Sequence, residues 1–332
     1  MSESIVQSST VRPRRADFSR LAPFAALAGL IVLGAIVNPR FLSLDNLTNV
    51  LTRDAFIAII AVGQALVITG GGLDLSVGAM AAFVAGVMIL FLNAGLIENP
   101  VLLISVAALL ALGTGGLCGL ANGLTTTVGR IEPFIVTLGT MGIFRSLVTW
   151  MAQGGSIVIK SQDLRGVYRP AYFGDVFGVP IPVLVVLAVA LFCAFLLYRT
   201  AFGRHLMAVG SNEDVARYSG INIVRVRTIA YVLQGLCVAI AVVIYVPRLG
   251  AATSTTGLLW ELQAITAVVI VGTRLKGGDG RIWGTIAGAL ILEAIGNIMV
   301  LSDLVSEYLI GAVQGAIIII AMLAQRSLTR RP

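Results

Sequence analysis

Apolar runs long enough to cross a membrane follow one another along this chain, with only short polar intervals between them. Ile181 to Leu197, for instance, contains no charged residue. A helix crossing the hydrocarbon of a bilayer needs about 20 mostly apolar residues. Runs of that kind fall at about 21–38, 53–70, 76–95, 101–127, 133–152, 179–199, 228–247, 261–275, 283–301 and 307–324. Residues of the AVILMFWYC set make up 58% of the 332 residues and charged residues only 12%, whereas a soluble domain carries about 25% charged residues. So few charges cannot cover a soluble surface. This excludes a globular cytosolic enzyme, a disordered chain and a nucleic-acid binder. The expected fold is an all-α membrane protein of about ten transmembrane helices with Gly-interrupted helix breaks.

The basic residues orient that bundle. Cytoplasmic loops of membrane proteins are enriched in Lys and Arg. With the N-terminus in the cytoplasm and ten spans, 16 of the 23 basic residues fall on the inner side, six on the outer side, and Arg145 inside a span. Both termini are therefore expected in the cytoplasm. The organisation reads as a polar tail at 1–20, one transmembrane domain at 21–325 with an outer loop at 153–178 and an inner loop at 200–227, and a basic tail at 326–332. The first apolar run ends in Ile36-Val37-Asn38-Pro39 without a small-residue cleavage site, so it reads as an uncleaved span. Cys118, Cys193 and Cys237 lie in apolar runs too far apart for a metal cluster and are expected as buried free thiols. The lone His205 cannot build a triad or a His-based metal site, and neither a metal nor a cofactor is expected.

Two places interrupt the apolar pattern with glycine. The first reads Thr69-Gly70-Gly71-Gly72-Leu73-Asp74-Leu75-Ser76-Val77-Gly78. Unwound backbone at membrane depth is tolerated only where protein buries it or it lines a cavity. Asp74 then either caps the following helix through N–H groups of Leu75 to Val77 or serves a functional path. The second break, with Gly277, Gly278, Asp279 and Gly280 before Gly284 and Gly288, repeats the same order: apolar run, Gly/Asp break, small-residue helix. Paired interruptions suggest a repeated transporter scaffold. Elsewhere Gly115, Gly119 and Gly123, then Gly284 and Gly288, then Gly311 and Gly315, make four-residue steps that let helix backbones approach closely.

The inner loop carries Ser211-Asn212-Glu213-Asp214-Val215-Ala216-Arg217-Tyr218-Ser219-Gly220. Ser211 or Asn212 can cap a helix of about two turns, with Glu213 and Asp214 in its first turn and Gly220 at its end. So short a helix must pack on something, either its own spans or a cytoplasmic partner. No Gly-x-x-x-x-Gly-Lys-Ser/Thr sequence occurs, so ATP cannot be held by a P-loop of this chain. Polar candidates for a solute path inside the spans are Gln64, Thr69, Asn122, Thr137, Thr140, Arg145, Glu293, Asn297 and Gln314. The plainer role for the amides and hydroxyls is interhelical hydrogen bonding, worth about 0.6 kcal/mol each. Arg145 and Glu293 need a water-filled path or a buried partner, since a lone charge at mid-bilayer costs at least about 2.5–3.5 kcal/mol. The outer loop from Tyr168 to Phe173 reads as a dock for a partner or as an interfacial aromatic belt.

Four segments then carry a family resemblance. Gly63 to Gly78, with its Gly-Gly-x-Asp-Leu-Ser-Val-Gly pattern, is one. Asn122-Gly123 with Pro133 to Met141, Gly210 to Asn222, and Glu261 to Ile265 with Gly277 to Gly280 and Gly284-Thr285 are the others. In this order they resemble the permease subunit of ribose-type ABC importers, the monosaccharide branch that also covers xylose, rhamnose, polyol and autoinducer-2 permeases. Two positions depart from the pattern: Arg281 after Gly280, where a small residue is usual, and Glu293, where an apolar or small one is usual. The resemblance implies a permease in the bacterial inner membrane that pairs with a second permease chain. It also implies a periplasmic sugar-binding protein and a separate cytoplasmic ATPase, with Ser211, Asn212, Glu213, Asp214, Ala216, Arg217 and Gly220 at the ATPase contact. An ion-coupled secondary transporter of the broken-helix type is the alternative, since Asp74 and Glu293 permit ion coupling.

Overall fold

Helix starts along this chain are set by side-chain caps and prolines as much as by hydropathy. The computed structural model describes residues 21–302 together with 309, 311–313, 315, 316 and 319. The tails at 1–20 and 326–332, Gln314 and most of the apolar run at 307–324 lie outside the described residues. Among the described residues, seven helices are long and apolar enough to cross a membrane: α2 (Leu44–Thr69), α3 (Val77–Ala94), α4 (Pro100–Thr127), α5 (Pro133–Met151), α8 (Ile181–Arg199), α11 (Ile223–Leu249) and α13 (Ile282–Ser302). Two shorter apolar helices join them, α1 (Ala22–Val37) and α12 (Trp260–Ile270).

The caps explain where several expected boundaries move. Ser43 accepts the Asn46 N–H, so α2 starts nine residues before the expected span and carries Asp45, Arg53 and Asp54 within the helix. Asn222 accepts the Arg225 N–H and starts α11 five residues early. Asn99, followed by Pro100 at the first helical position, starts α4, which then runs 28 residues unbroken. The expected span at 261–275 shortens to 11 residues in α12, because Gly272, at φ +89°, turns the chain away. At about 1.5 Å per residue such a helix is roughly 16 Å long, half a crossing.

Between α5 and α8 the chain builds structure that the apolar pattern did not announce. β1 (Ser156–Val158) pairs antiparallel with β4 (Ala251–Thr253), with Ile157 opposite Ala252. A small hairpin joins β2 (Asp175–Val176) to β3 (Val179–Pro180). Two short helices, α6 (Gln162–Tyr168) and α7 (Pro170–Phe173), lie between the two strand pairs. The chain is thus mostly helical rather than all-α. Tyr168 donates to the Val243 carbonyl at 2.6 Å, and burial pushes its phenol up, so it stays a donor. Arg248 donates to the Tyr172 hydroxyl at 2.8 Å and ties α7 to the end of α11.

The core forms around α2 and α11, which pack on each other; α4 packs along α11 and α13 along α2. A side-chain carbon at Gly115 would meet the Gly235 carbonyl, at Gly119 the Tyr231 carbonyl and at Gly123 the Thr228 backbone. The Gly-x-x-x-Gly steps of α4 therefore seat it directly on α11. Gly288 of α13 approaches Ala267 of α12 in the same way, while a Cβ at Gly311 or Gly315 would meet nothing within 4 Å among the described residues. All three cysteines are free and buried.

Candidate functional site

The two glycine breaks meet at one end of the bundle, at a junction that buries Thr69, Asp74, Ser76 and Asn122. At the first break, α2 ends at Thr69 and Gly71 turns the backbone at φ +78°. Asp74 is fully buried and takes the Ser76 N–H at 2.8 Å and the Ser76 hydroxyl at 2.6 Å. It therefore orders the turn immediately before α3 through one N–H, rather than several. Asn122 of α4 donates to the Ser76 hydroxyl at 2.8 Å and reaches both Asp74 oxygens at 3.4 and 3.5 Å. The Leu73 carbonyl accepts from Tyr231 of α11 at 3.2 Å and from Thr137 of α5 at 3.4 Å. Helices α4, α5 and α11 thus hold the break from three directions. Asn122 and Thr137, path candidates on sequence grounds, both serve this network. Gly78, just inside α3, lies against Gly257 with no room for a Cβ.

The second break packs on the first through backbone. The Gly278 N–H donates to the Thr69 carbonyl at 2.9 Å. Gly277 and Gly278 sit at φ +89° and +85°, a conformation that costs glycine no steric penalty. A Cβ at Gly277 would strike Gly71 N and Gly210, one at Gly278 the Ser211 side chain, and one at Gly280 the Thr69 hydroxyl. Tyr198 of α8 closes the region, accepting the Ile282 N–H at 2.9 Å and donating to the Gly280 carbonyl at 3.2 Å. Gly210 belongs to a helix that sequence reading treated as loop, α9 (Ala201–Ser211), capped by Thr200 and buried through Leu206 and Val209.

From this junction projects α10 (Glu213–Tyr218), the short helix expected from the Asn212 cap. The Asn212 side chain accepts the Val215 N–H at 3.0 Å. Gly220 ends the helix at φ +78°, and the Ile221 N–H returns to the Ala216 carbonyl. Ser211 lies in the last turn of α9 instead of capping α10. Ala216 is buried, while Asp214, Val215, Arg217, Tyr218, Ser219 and Gly220 are exposed. Val215 and Tyr218, the latter 91% exposed, put apolar surface on a free helix face. Sequence reading passed over both, although an aromatic in a six-residue polar helix was the available signal. Glu213 is clasped by Arg217 and by Arg227 of α11, each at 2.7 Å.

The remaining path candidates are spread out. Gln64 is fully buried in α2, and its amide has no hydrogen-bond partner among the described residues. Thr69 and Thr140 hydrogen-bond to backbone carbonyls within their own helices. Glu293 of α13 faces Arg53 of α2 at 3.5 Å. One turn further, Asn297 exchanges amide bonds with Asn46 of α2 at 2.9 Å each way. Both therefore lie in the α2–α13 seam. Arg145 stands half-buried on α5 beside an open groove of about 820 Å³ lined also by Leu90, Ser146, Thr149 and Trp150. Its Nη1 donates to the carbonyls of Ser254 and Thr256, at 2.6 and 2.5 Å. This pins the segment 250–259, which contains β4 and leads into α12; it lies in the interval expected between the spans at 228–247 and 261–275, but the strand pairing and the Arg145 bonds that fix it were not expected.

A bundle of apolar helices whose backbone unwinds at paired glycine breaks, under a projecting helix, defines a membrane transport subunit. The chain matches the family model described as "Branched-chain amino acid transport system / permease component" over residues 46–322, and it belongs to that family. It is 40% identical over 305 residues to the ribose import permease protein RbsC of Escherichia coli K12, covering 90% of this chain and 92% of that one. It is 38% identical over 309 residues to the ribose import permease protein RbsC of Bacillus subtilis, 92% of each. It is 31% identical over 314 residues to the D-allose transport system permease protein AlsC of E. coli K12, 94% and 93%. A solved metal-chelate type ABC transporter in an inward-facing conformation shares the fold, with TM-score 0.53 and 15% identity over 91% of this chain and 99% of that one. The resemblance drawn from the four sequence segments holds.

Proposed function

We propose that this chain is the transmembrane permease subunit of an ABC importer that takes up a monosaccharide or related polyol. A periplasmic binding protein delivers the solute, and a separate cytoplasmic ATPase subunit supplies the energy. The observation that carries the reading is the junction itself: α10 projects from the point where both glycine breaks meet, so a partner pushing on α10 acts on both at once. Relatives of nearly full length named for ribose and allose import support the sugar class. In this reading residues 21–325 form one permease domain between cytoplasmic tails at 1–20 and 326–332, in the bacterial inner membrane. In the same reading α1, α12 with the non-helical segments that flank it, and the run at 307–324 bring the count to about ten passes, with both termini inside. The end carrying α10 faces the cytoplasm, which fits the cations at that end: Arg130, Arg199, Arg204, Arg217, Arg225, Arg227, Arg274, Lys276 and Arg281.

Ser211, Asn212, Glu213, Asp214, Ala216, Arg217 and Gly220 shape the ATPase contact, with Val215 and Tyr218 as its apolar anchors. Gly70, Gly71, Gly72, Asp74, Ser76, Gly78, Gly277, Gly278 and Gly280 form the hinge beneath it. The solute path follows the Arg145 groove, and a second permease chain, identical or paralogous, walls its open side. The test is uptake of D-ribose into proteoliposomes carrying this chain with its ATPase and binding protein. Uptake that needs ATP and all three components is expected. Uptake that persists without the ATPase and follows a proton or sodium gradient would establish a secondary transporter instead.

A further inference from the structure

Arg227 makes two bonds that join α10 to the first break. Its Nη1 donates to Glu213 Oε2 at 2.7 Å, and its Nε donates to the Gly70 carbonyl at 2.9 Å. The Gly70 carbonyl lies at the C-cap of α2, where helix carbonyls lack partners and the helix dipole is negative. Glu213 opens α10, at the positive end of that helix's dipole, beside the Asn212 cap. The guanidinium thus sits between the end of one helix and the first-turn carboxylate of another. It is mostly shielded from water, with a side-chain exposure of 21%, against 64% for Arg217, which pairs with Glu213 only within α10.

We propose that Arg227 is the positioning residue that transmits movement of α10 to the first helix break, holding the Glu213 carboxylate and the Gly70 carbonyl in one rigid planar group. The proposal rests on the importer reading and deepens it. Moving α10 relative to α2 must either carry the Gly70 carbonyl along or break a short charge-assisted bond. The glycine contacts of Gly210, Gly277 and Gly278 supply close packing at the same junction, but they present only backbone. Lysine cannot replace Arg227, because one ammonium on a flexible stem does not present two donors in a fixed fork.

The experiment uses the full importer in proteoliposomes, with D-ribose as the probe and D-ribose taken up per ATP hydrolysed as the readout. R227K is expected to lower that ratio at least about fivefold, the low end of coupling effects between sites. A variant that merely yields less folded complex lowers uptake and hydrolysis in proportion and leaves the ratio unchanged, and that result would overturn the proposal. E213A is expected to lower the ratio as R227K does, and it serves alone if R227K fails to assemble. The double variant is expected to lose no more than either single one, because the two residues act as one unit. A double loss equal to the product of the single losses would also overturn it. Wild-type uptake that needs no ATPase would remove the importer reading and this proposal together. Coupled wild-type uptake with an unchanged ratio in the variants would remove this proposal alone.

Discussion

Gly115 and Gly113, two residues apart on α4, have opposite surroundings. A methyl group at Gly115 would enter the Gly235 carbonyl of α11, whereas nothing lies within 4 Å of the corresponding position at Gly113. Gly115→Ala is therefore expected to destabilise the folded chain by about 1–3 kcal/mol, the usual cost of overpacking. Gly113→Ala is expected to be neutral or to stabilise by up to about 1 kcal/mol, since alanine is the better helix former. Thermal unfolding of both variants in detergent checks the pair, and equal shifts would contradict the packing. The stripe of Gly115, Gly119 and Gly123 was legible in the sequence because a four-residue step places small residues on one helix face. The equally tight contact of Gly210 with Thr69 was not, because it joins residues 141 positions apart and no local period encodes it.

Elements whose edges coincide with glycine or a polar cap were legible in advance: both breaks, the Asn212-capped α10 and the long α4. The segment 250–259 falls in the interval between the expected spans ending at 247 and starting at 261, but its fixed conformation was not legible, because nothing local in its Gly, Ala, Ser, Thr and Leu residues encodes it. What makes it irregular is long-range: β4 pairs with β1 from almost a hundred residues earlier, and Leu259 adopts φ +66° before α12 begins. The two carbonyls held by Arg145 complete the fixation. Removing the guanidinium leaves those carbonyls to the groove. R145A is thus expected to raise amide hydrogen exchange across 254–258 at least about tenfold, the factor that 1.4 kcal/mol represents. Exchange in α2 and α11, which Arg145 does not touch, stays as in the wild type. Unchanged exchange in the loop would show that the β1–β4 pairing alone fixes it.

At the scale of the whole molecule, the importer reading turns on which end faces the cytoplasm, since in that reading an ATPase must reach α10 from there. The proposed direction rests on charge: Arg130, Arg199, Arg204, Arg217, Arg225, Arg227, Arg274, Lys276 and Arg281 lie towards the end that carries α10, and Lys and Arg concentrate on the cytoplasmic side of membrane proteins. The structure supplies two reporters for a direct test. Tyr218 on α10 and Phe177 in the β2–β3 turn are both almost completely exposed. Between them only α8 is long and apolar enough to cross a membrane. The native cysteines give little background, being buried at 7%, 1% and 4% exposure for Cys118, Cys193 and Cys237. Phe177→Cys is expected to react with a membrane-impermeant maleimide in intact spheroplasts. Tyr218→Cys is expected to react only after the membrane is permeabilised. The reverse pattern would put α10 outside the cell, where no ATPase could drive it. Labelling of both in intact spheroplasts would mean that α8 does not cross. Because α8 connects the two reporters directly, the outcome fixes the orientation of the junction independently of how the short helices α1 and α12 are counted.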